Sequence, residues 1–174
     1  MPVLPVIQLG HPTLRDVATS IESVRDPAIA DLVENLVATL QASNGVGIAA
    51  PQVAVSKRLF IVASHPNPRY PHAPEMEPTP MLNPRLVSHA DEVGQDWEGC
   101  LSIPGIRGLV PRYRTIEVEY TDCLGRLQRQ ELSDFVARIF QHELDHLNGL
   151  VFLDRLDSVQ DIITDQEFLK RIQA

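Results

Sequence analysis

Two imidazoles and a carboxylate occur at metal-binding spacing in His142-Glu143-Leu144-Asp145-His146. On a helix, residues four apart stack on one face, so His142 and His146 can reach the same ion. Glu143, one residue along, then lies beside that ion, placed to take a proton from a water on it. Two core histidines bonded to backbone groups are the weaker alternative, because burying both imidazoles and a carboxylate without a cation is costly. Two histidines leave a metal site incomplete. A histidine six residues after His146 is excluded, since Phe152 stands there. Glu167, the only downstream glutamate, would complete a His₂Glu set. Cys100, in Glu98-Gly99-Cys100-Leu101-Ser102, would complete a His₂Cys set suited to a divalent transition metal. A cysteine taken alone is more often a small buried hydrophobe.

These groups need elements to position them. At about 100° per residue, a helix from Ser133 or Asp134 to His146 or Leu147 puts Phe135, Ile139, His142 and His146 on one face. Glu143, Val136, Leu147, Phe140 and Leu144 cover much of the remainder, leaving a narrow polar strip of Asp134, Arg138, Gln141 and Asp145. Arg138 borders that strip, and the pattern leaves open whether it meets solvent or the site. Asn148-Gly149 is the stop. An earlier helix begins at Asp26-Pro27, carries Ile29, Leu32, Val33, Leu36, Val37 and Leu40 on one stripe, and ends at Ser43-Asn44-Gly45.

Between the helices, Arg58 to Val62 reads as a buried strand. Thr115 to Tyr120 alternates, Asp122-Cys123-Leu124-Gly125 has turn chemistry, and Leu127 to Leu132 returns. Residues 65–84 hold seven of the 14 prolines and read as an irregular surface excursion. A weaker helix is predicted from Ser158 to Ile172. The pattern predicts one α+β domain over residues 1–174, with mixed or antiparallel sheets around a central buried helix carrying the His-Glu-x-x-His motif.

Composition sets the class. The chain has 174 residues, 44% hydrophobic and 22% charged, as in an ordinary globular protein. Its formal net charge of −8 argues against a direct role on nucleic acid. No run is apolar enough to span a membrane and no secretory or mitochondrial leader pattern is evident, so a cytoplasmic protein is expected. Two cysteines make no disulfide framework, and Cys123, in the turn, reads as a bystander thiol. His11, His65, His72 and His89 read as solvated.

Three motifs in order carry a family resemblance: Gly45-Val46-Gly47-Ile48-Ala49-Ala50-Pro51-Gln52, Glu98 to Ser102, and Gln141 to His146. Pro12-Thr13-Leu14-Arg15 and Val110-Pro111-Arg112 extend it over nearly the whole chain. The chain resembles peptide deformylase. The resemblance implies a hydrolase that removes formate from N-formylmethionyl nascent chains. It implies one divalent ion on Cys100, His142 and His146, usually ferrous iron, with zinc, nickel or cobalt as substitutes. It further implies Glu143 as the base, and the Gln52 amide and Leu101 N–H as oxyanion donors. Gly45, Val46, Gly47, Ile48, Glu98, Gly99, Arg107, Phe135 and Ile139 are then candidate substrate-binding residues. Ile48, Phe135 and Ile139 would line the methionine pocket, and Glu98 and Arg107 would act as a pair that organises the cysteine loop and binds the substrate backbone. Trp97 is expected to pack beneath that loop. The ribosome is a partner by resemblance.

Overall fold

The computed structural model describes residues 2–173. Helix α1 (Pro27–Ala42) starts where Asp26 accepts the Ala28 N–H at 2.9 Å and Pro27 occupies the first turn. It ends where Asn44 turns left-handed at φ 49°. Among the described residues there are eight strands, seven of them between the first two helices: β1 (Gly47–Ala49), β2 (Leu59–Ser64), β3 (Met76–His89), β4 (Val93–Cys100), β5 (Ile103–Tyr113), β6 (Thr115–Thr121), β7 (Leu127–Ser133) and β8 (Ile162–Thr164). Helix α2 (Asp134–Leu147) follows β7, and α3 (Asp165–Gln173) follows β8. Among the described residues these strands pair only antiparallel, in a five-stranded sheet ordered β1-β2-β3-β6-β7 and a three-stranded sheet ordered β4-β5-β8.

β2 is the hinge of the packing. Every residue from Leu59 to Ser64 is buried because helices cover both faces. Leu59, Ile61 and Ala63 meet Leu32, Leu36 and Leu40 of α1 on one side. Phe60 and Val62 meet α2 on the other, with the Phe60 and Phe140 rings edge to face at 5.2 Å. Alternation of side chains thus turns one apolar run into two cores.

Two expected elements differ. The proline-rich stretch is irregular only to about residue 75; β3 absorbs Pro78, Pro80 and Pro84. Pro84 falls where the β3–β6 register shifts, so its missing N–H removes no ladder bond. Beside it, left-handed Asn83 exchanges side-chain hydrogen bonds with the Ile21 backbone at 2.8 Å each. The final helix begins seven residues later than its Ser158 expectation, at Asp165. Ile162–Thr164 instead pairs with Ile106–Gly108 on the open edge of β5.

The helix that carries the histidines is buried on nearly every side. Gln141 and Asp145, expected on a wet strip, and Arg138 at its border are each under 10% exposed. They stay inside because charges or backbone meet them: Gln141 bonds both the N–H and the carbonyl of Tyr113, and Asp145 pairs with Arg112 and Arg155. Gly149 stops the helix at φ +73°, and a Cβ there would lie 2.5 Å from the Arg15 carbonyl oxygen. Gly149→Ala should therefore cost at least ~2 kcal/mol, from the left-handed backbone plus that clash. A shift in the urea midpoint measures it, and a loss below about 0.5 kcal/mol would contradict this account.

Candidate metal centre

α2 carries His142 and His146 one turn apart, and β4 ends at Cys100 against them. One ligand atom from each lies within 4.8 Å of the others. Cys100 Sγ is 3.3 Å from His146 Nε2. His142 is oriented from behind, its Nδ1 2.8 Å from Glu98 Oε2, which turns Nε2 toward the cluster. Glu167, the alternative third ligand, is exposed on α3 and bonds Lys170.

Gln52 sits in a buried 3-10 turn after β1. Ala49 N–H donates to its Oε1 at 2.9 Å, which fixes the amide so that Nε2 points to Ser102 Oγ (3.2 Å) and Cys100 Sγ (3.5 Å). Glu143 is 3% exposed, and its Oε2 has no partner among the described residues. Its carboxylate lies against Gly47, where a Cβ would come within 2.3 Å of Oε1. Only a residue without a side chain lets β1 approach α2 this closely.

These groups line a cavity of about 220 Å³. Gly45, Val46, Gly47, Gln52, Glu98, Gly99, Cys100, Leu101, Arg107, Phe135, Ile139, His142 and Glu143 form its walls. Ile48 does not. Alternation along β1 turns Gly47 toward Glu143 and Ile48 the other way, into the core under α1. Trp97 both lines the cavity and packs, its ring 6.5 Å from that of Phe168.

Glu98 and Arg107 are both buried but not paired. Glu98 accepts from Arg112 Nε (2.9 Å) and Nη2 (3.0 Å) and from Arg138 Nη1 (2.9 Å). Arg138 also donates to the Gly94 and Val110 carbonyls, which settles its orientation inward. Arg107 instead donates to Asp165 and Tyr70. Tyr70 and Arg69, from the proline-rich segment, and Asp165 are wall residues that sequence reasoning missed. A lone tyrosine among prolines was the one available signal.

The electrostatics favour a cation. Burial alone would raise the Glu98 carboxyl, but the Arg112 charge and bonds from His142 and Arg112 hold it well below the usual carboxylate range. Burial would lower His142, yet bonds to Cys100 and Glu98 push it well above its ordinary value. Burial and the neighbouring charges of His142 and Arg112 push His146 down. The Glu98 carboxylate that favours positive charge on His142 would also stabilise a metal's charge, and thiolate plus two imidazoles is a set that transition metals take. The residues fit a divalent ion.

Burial also pushes the Glu143 carboxyl up to about 7 against the pull of His142. In the metal-free protein its ionisation therefore opposes folding. The penalty is absent below the unfolded value near 4.5, grows as pH rises, and is complete above about 7. Metal-free Glu143→Gln should gain on wild type by about 3 kcal/mol across that window. Urea titrations at pH 5 and 8 measure this, and equal differences at the two pH values would refute it.

A family model described as polypeptide deformylase matches residues 3–161. The chain belongs to the peptide deformylase family. Members remove the N-formyl group from nascent chains, and this chain is an enzyme of that activity, as its three motifs implied. It is 63% identical over 166 residues to peptide deformylase 2 of Nostoc sp., covering 95% of this chain and 93% of that one. The class I type b peptide deformylase of Acinetobacter baumannii, solved with Met-Ala-Ser, superposes with a TM-score of 0.87 at 43% identity, covering 89% of this chain and 99% of that one. An actinonin-bound peptide deformylase from Synechococcus elongatus gives 0.81 at 33% identity, covering 98% and 86%. The deformylase family is one of metalloenzymes, which agrees with the Cys100-His142-His146 cluster. No helix among the described residues is long and apolar enough to cross a membrane.

Proposed function

We propose that residues 1–174 form one catalytic unit built about α2, in which Cys100, His142 and His146 hold a divalent ion, ferrous iron in the cell. Zinc, nickel or cobalt would substitute. The observation that carries this reading is the convergence of those three ligand atoms within 4.8 Å beside a buried, partnerless carboxylate oxygen. Bound there, the ion supplies Lewis acidity, making a water acidic near neutral pH and polarising a carbonyl.

The remaining steps belong to the chain's own groups. Glu143 takes the proton from the attacking water and later delivers it to the leaving amine. Its burial beside the ligand cluster, with Oε2 left without a partner among the described residues, suits both roles. The Gln52 Nε2 and the Leu101 N–H donate to the oxyanion that forms on the formyl group. Glu98 holds His142 through Nδ1. β1 and β4 are free sheet edges that flank the cavity, so an extended peptide can lie between Gly45–Gly47 and Trp97–Gly99 with its first side chain toward Phe135 and Ile139. The Acinetobacter relative was solved with Met-Ala-Ser bound, which supports a peptide beginning with methionine as the kind of ligand.

The substrate is then the formylmethionyl end of a nascent chain, met in the cytoplasm at the ribosome. Anaerobic loading with Fe(II), followed by formate release from formyl-Met-Ala-Ser, tests the reading. Turnover that follows iron content supports it. A folded, iron-loaded protein that releases no formate rejects it.

A further inference from the structure

We infer that the C-terminal segment completes the substrate site: Asp165 and Phe168 are positioning residues that clamp Arg107 so that it can hold the part of the peptide beyond the first methionine. The inference rests on the reading of the cavity as the formylmethionyl-peptide site.

Arg107 is 2% exposed yet lines the cavity. Its Nε donates to Asp165 Oδ1 at 2.8 Å and its Nη1 to the Tyr70 hydroxyl at 3.0 Å. The guanidinium is also held from two sides. A Cβ on Gly99 would lie 3.1 Å from Cζ, so β4 covers one side closely. The Phe168 ring lies 4.4 Å from Cζ, within cation–π range.

Phe168 is the buried residue of α3, and it is used on Arg107 and on the Trp97 ring. Arg171 adds a cation–π contact of its own to the Trp97 ring at 5.3 Å. β8 places Ile163 directly opposite Arg107. The segment after residue 161, where the family match ends, therefore covers Arg107 from outside.

The two bonds use two of the five N–H groups of the guanidinium. The others suit a peptide carbonyl or carboxylate. Arg107 neighbours Gly108, whose partner is Glu98, so it stands along the wall from Cys100 rather than at the ligand cluster. Its partner Asp165 is half-exposed and Tyr70 only partly buried, both at the rim. That location serves substrate residues leaving the site. The ordering matters because an unclamped arginine would lose its rotamer freedom at each binding event.

The test compares iron-loaded wild type, Asp165→Ala, Asp165→Asn and Phe168→Ala on formyl-Met-Ala-Ser and on formylmethioninamide. For both alanine variants kcat/KM on the tripeptide should fall about tenfold, the size of one charge-assisted bond lost between Arg107 and the peptide, and mainly through KM. The loss on formylmethioninamide should be at least fivefold smaller. Asp165→Asn, which keeps an acceptor for Nε, should recover most of the tripeptide activity. Equal losses on the two substrates, or losses in kcat alone, would reduce the segment to a structural brace and overturn the inference. So would unchanged tripeptide kinetics in both alanine variants. Wild-type turnover of formylmethioninamide reports separately on the underlying site reading.

Discussion

Glu143→Ala should keep its metal and lose about a thousandfold in kcat for formate release, the middle of the range for a lost general acid–base. The residue is not among the three clustered ligand atoms, so removing it leaves the ion's donors intact. What disappears is the buried carboxylate beside the ligand cluster, the group placed to move the proton. Cys100→Ser should behave in the opposite order, releasing the metal first and activity with it, because a hydroxyl replaces the thiolate donor. Metal analysis beside formate assays on both proteins separates the roles. Turnover within tenfold of wild type in Glu143→Ala would remove it from the chemical step.

Glu98→Ala should destabilise the fold by about 3–5 kcal/mol, the cost of leaving buried charge without its partner. Arg112 and Arg138 both bond this one carboxylate, and all three are buried. Arg112 retains Asp145 at 2.6 Å, and Arg138 retains two backbone carbonyls, which limits the damage. His142 loses the acceptor on Nδ1, so metal affinity in whatever remains folded should fall by about 10–100-fold. Glu98→Gln, which keeps an oxygen but not the charge, should fall between. Denaturant unfolding and competitive chelation measure the two effects. A stability loss under about 1 kcal/mol would show that the arginines find other partners.

Much of the site is written locally. The four-residue step of His142 and His146 needs only helical geometry, and Asp26-Pro27 and Gly149 mark helix ends by their own backbone chemistry. The alternation from Thr115 to Tyr120 and the turn at Asp122 became β6, β7 and their connection. The third ligand was narrowed by spacing, then drawn toward Cys100 by the family's three motifs. The methionine-pocket reading failed at Ile48 because a helical-face argument said nothing about which side of β1 would meet α2.

The remainder depends on pairings between distant segments. Gln141 and Asp145 look like a solvent strip until Tyr113, Arg112 and Arg155 are packed against them. Arg107 has Asp165 as its partner, 58 residues away, rather than Glu98, and Glu98 meets His142 across 44 residues. By itself the sequence determined the ligand-bearing helix and the small-residue run before Gln52, because both are matters of residue type and local spacing, while the reaction class followed from the resemblance that three ordered motifs carry. The tertiary structure decided which buried carboxylate neutralises which arginine and what closes the outer wall, because burial leaves each charge only the partners that sheet and helix packing bring within bonding distance.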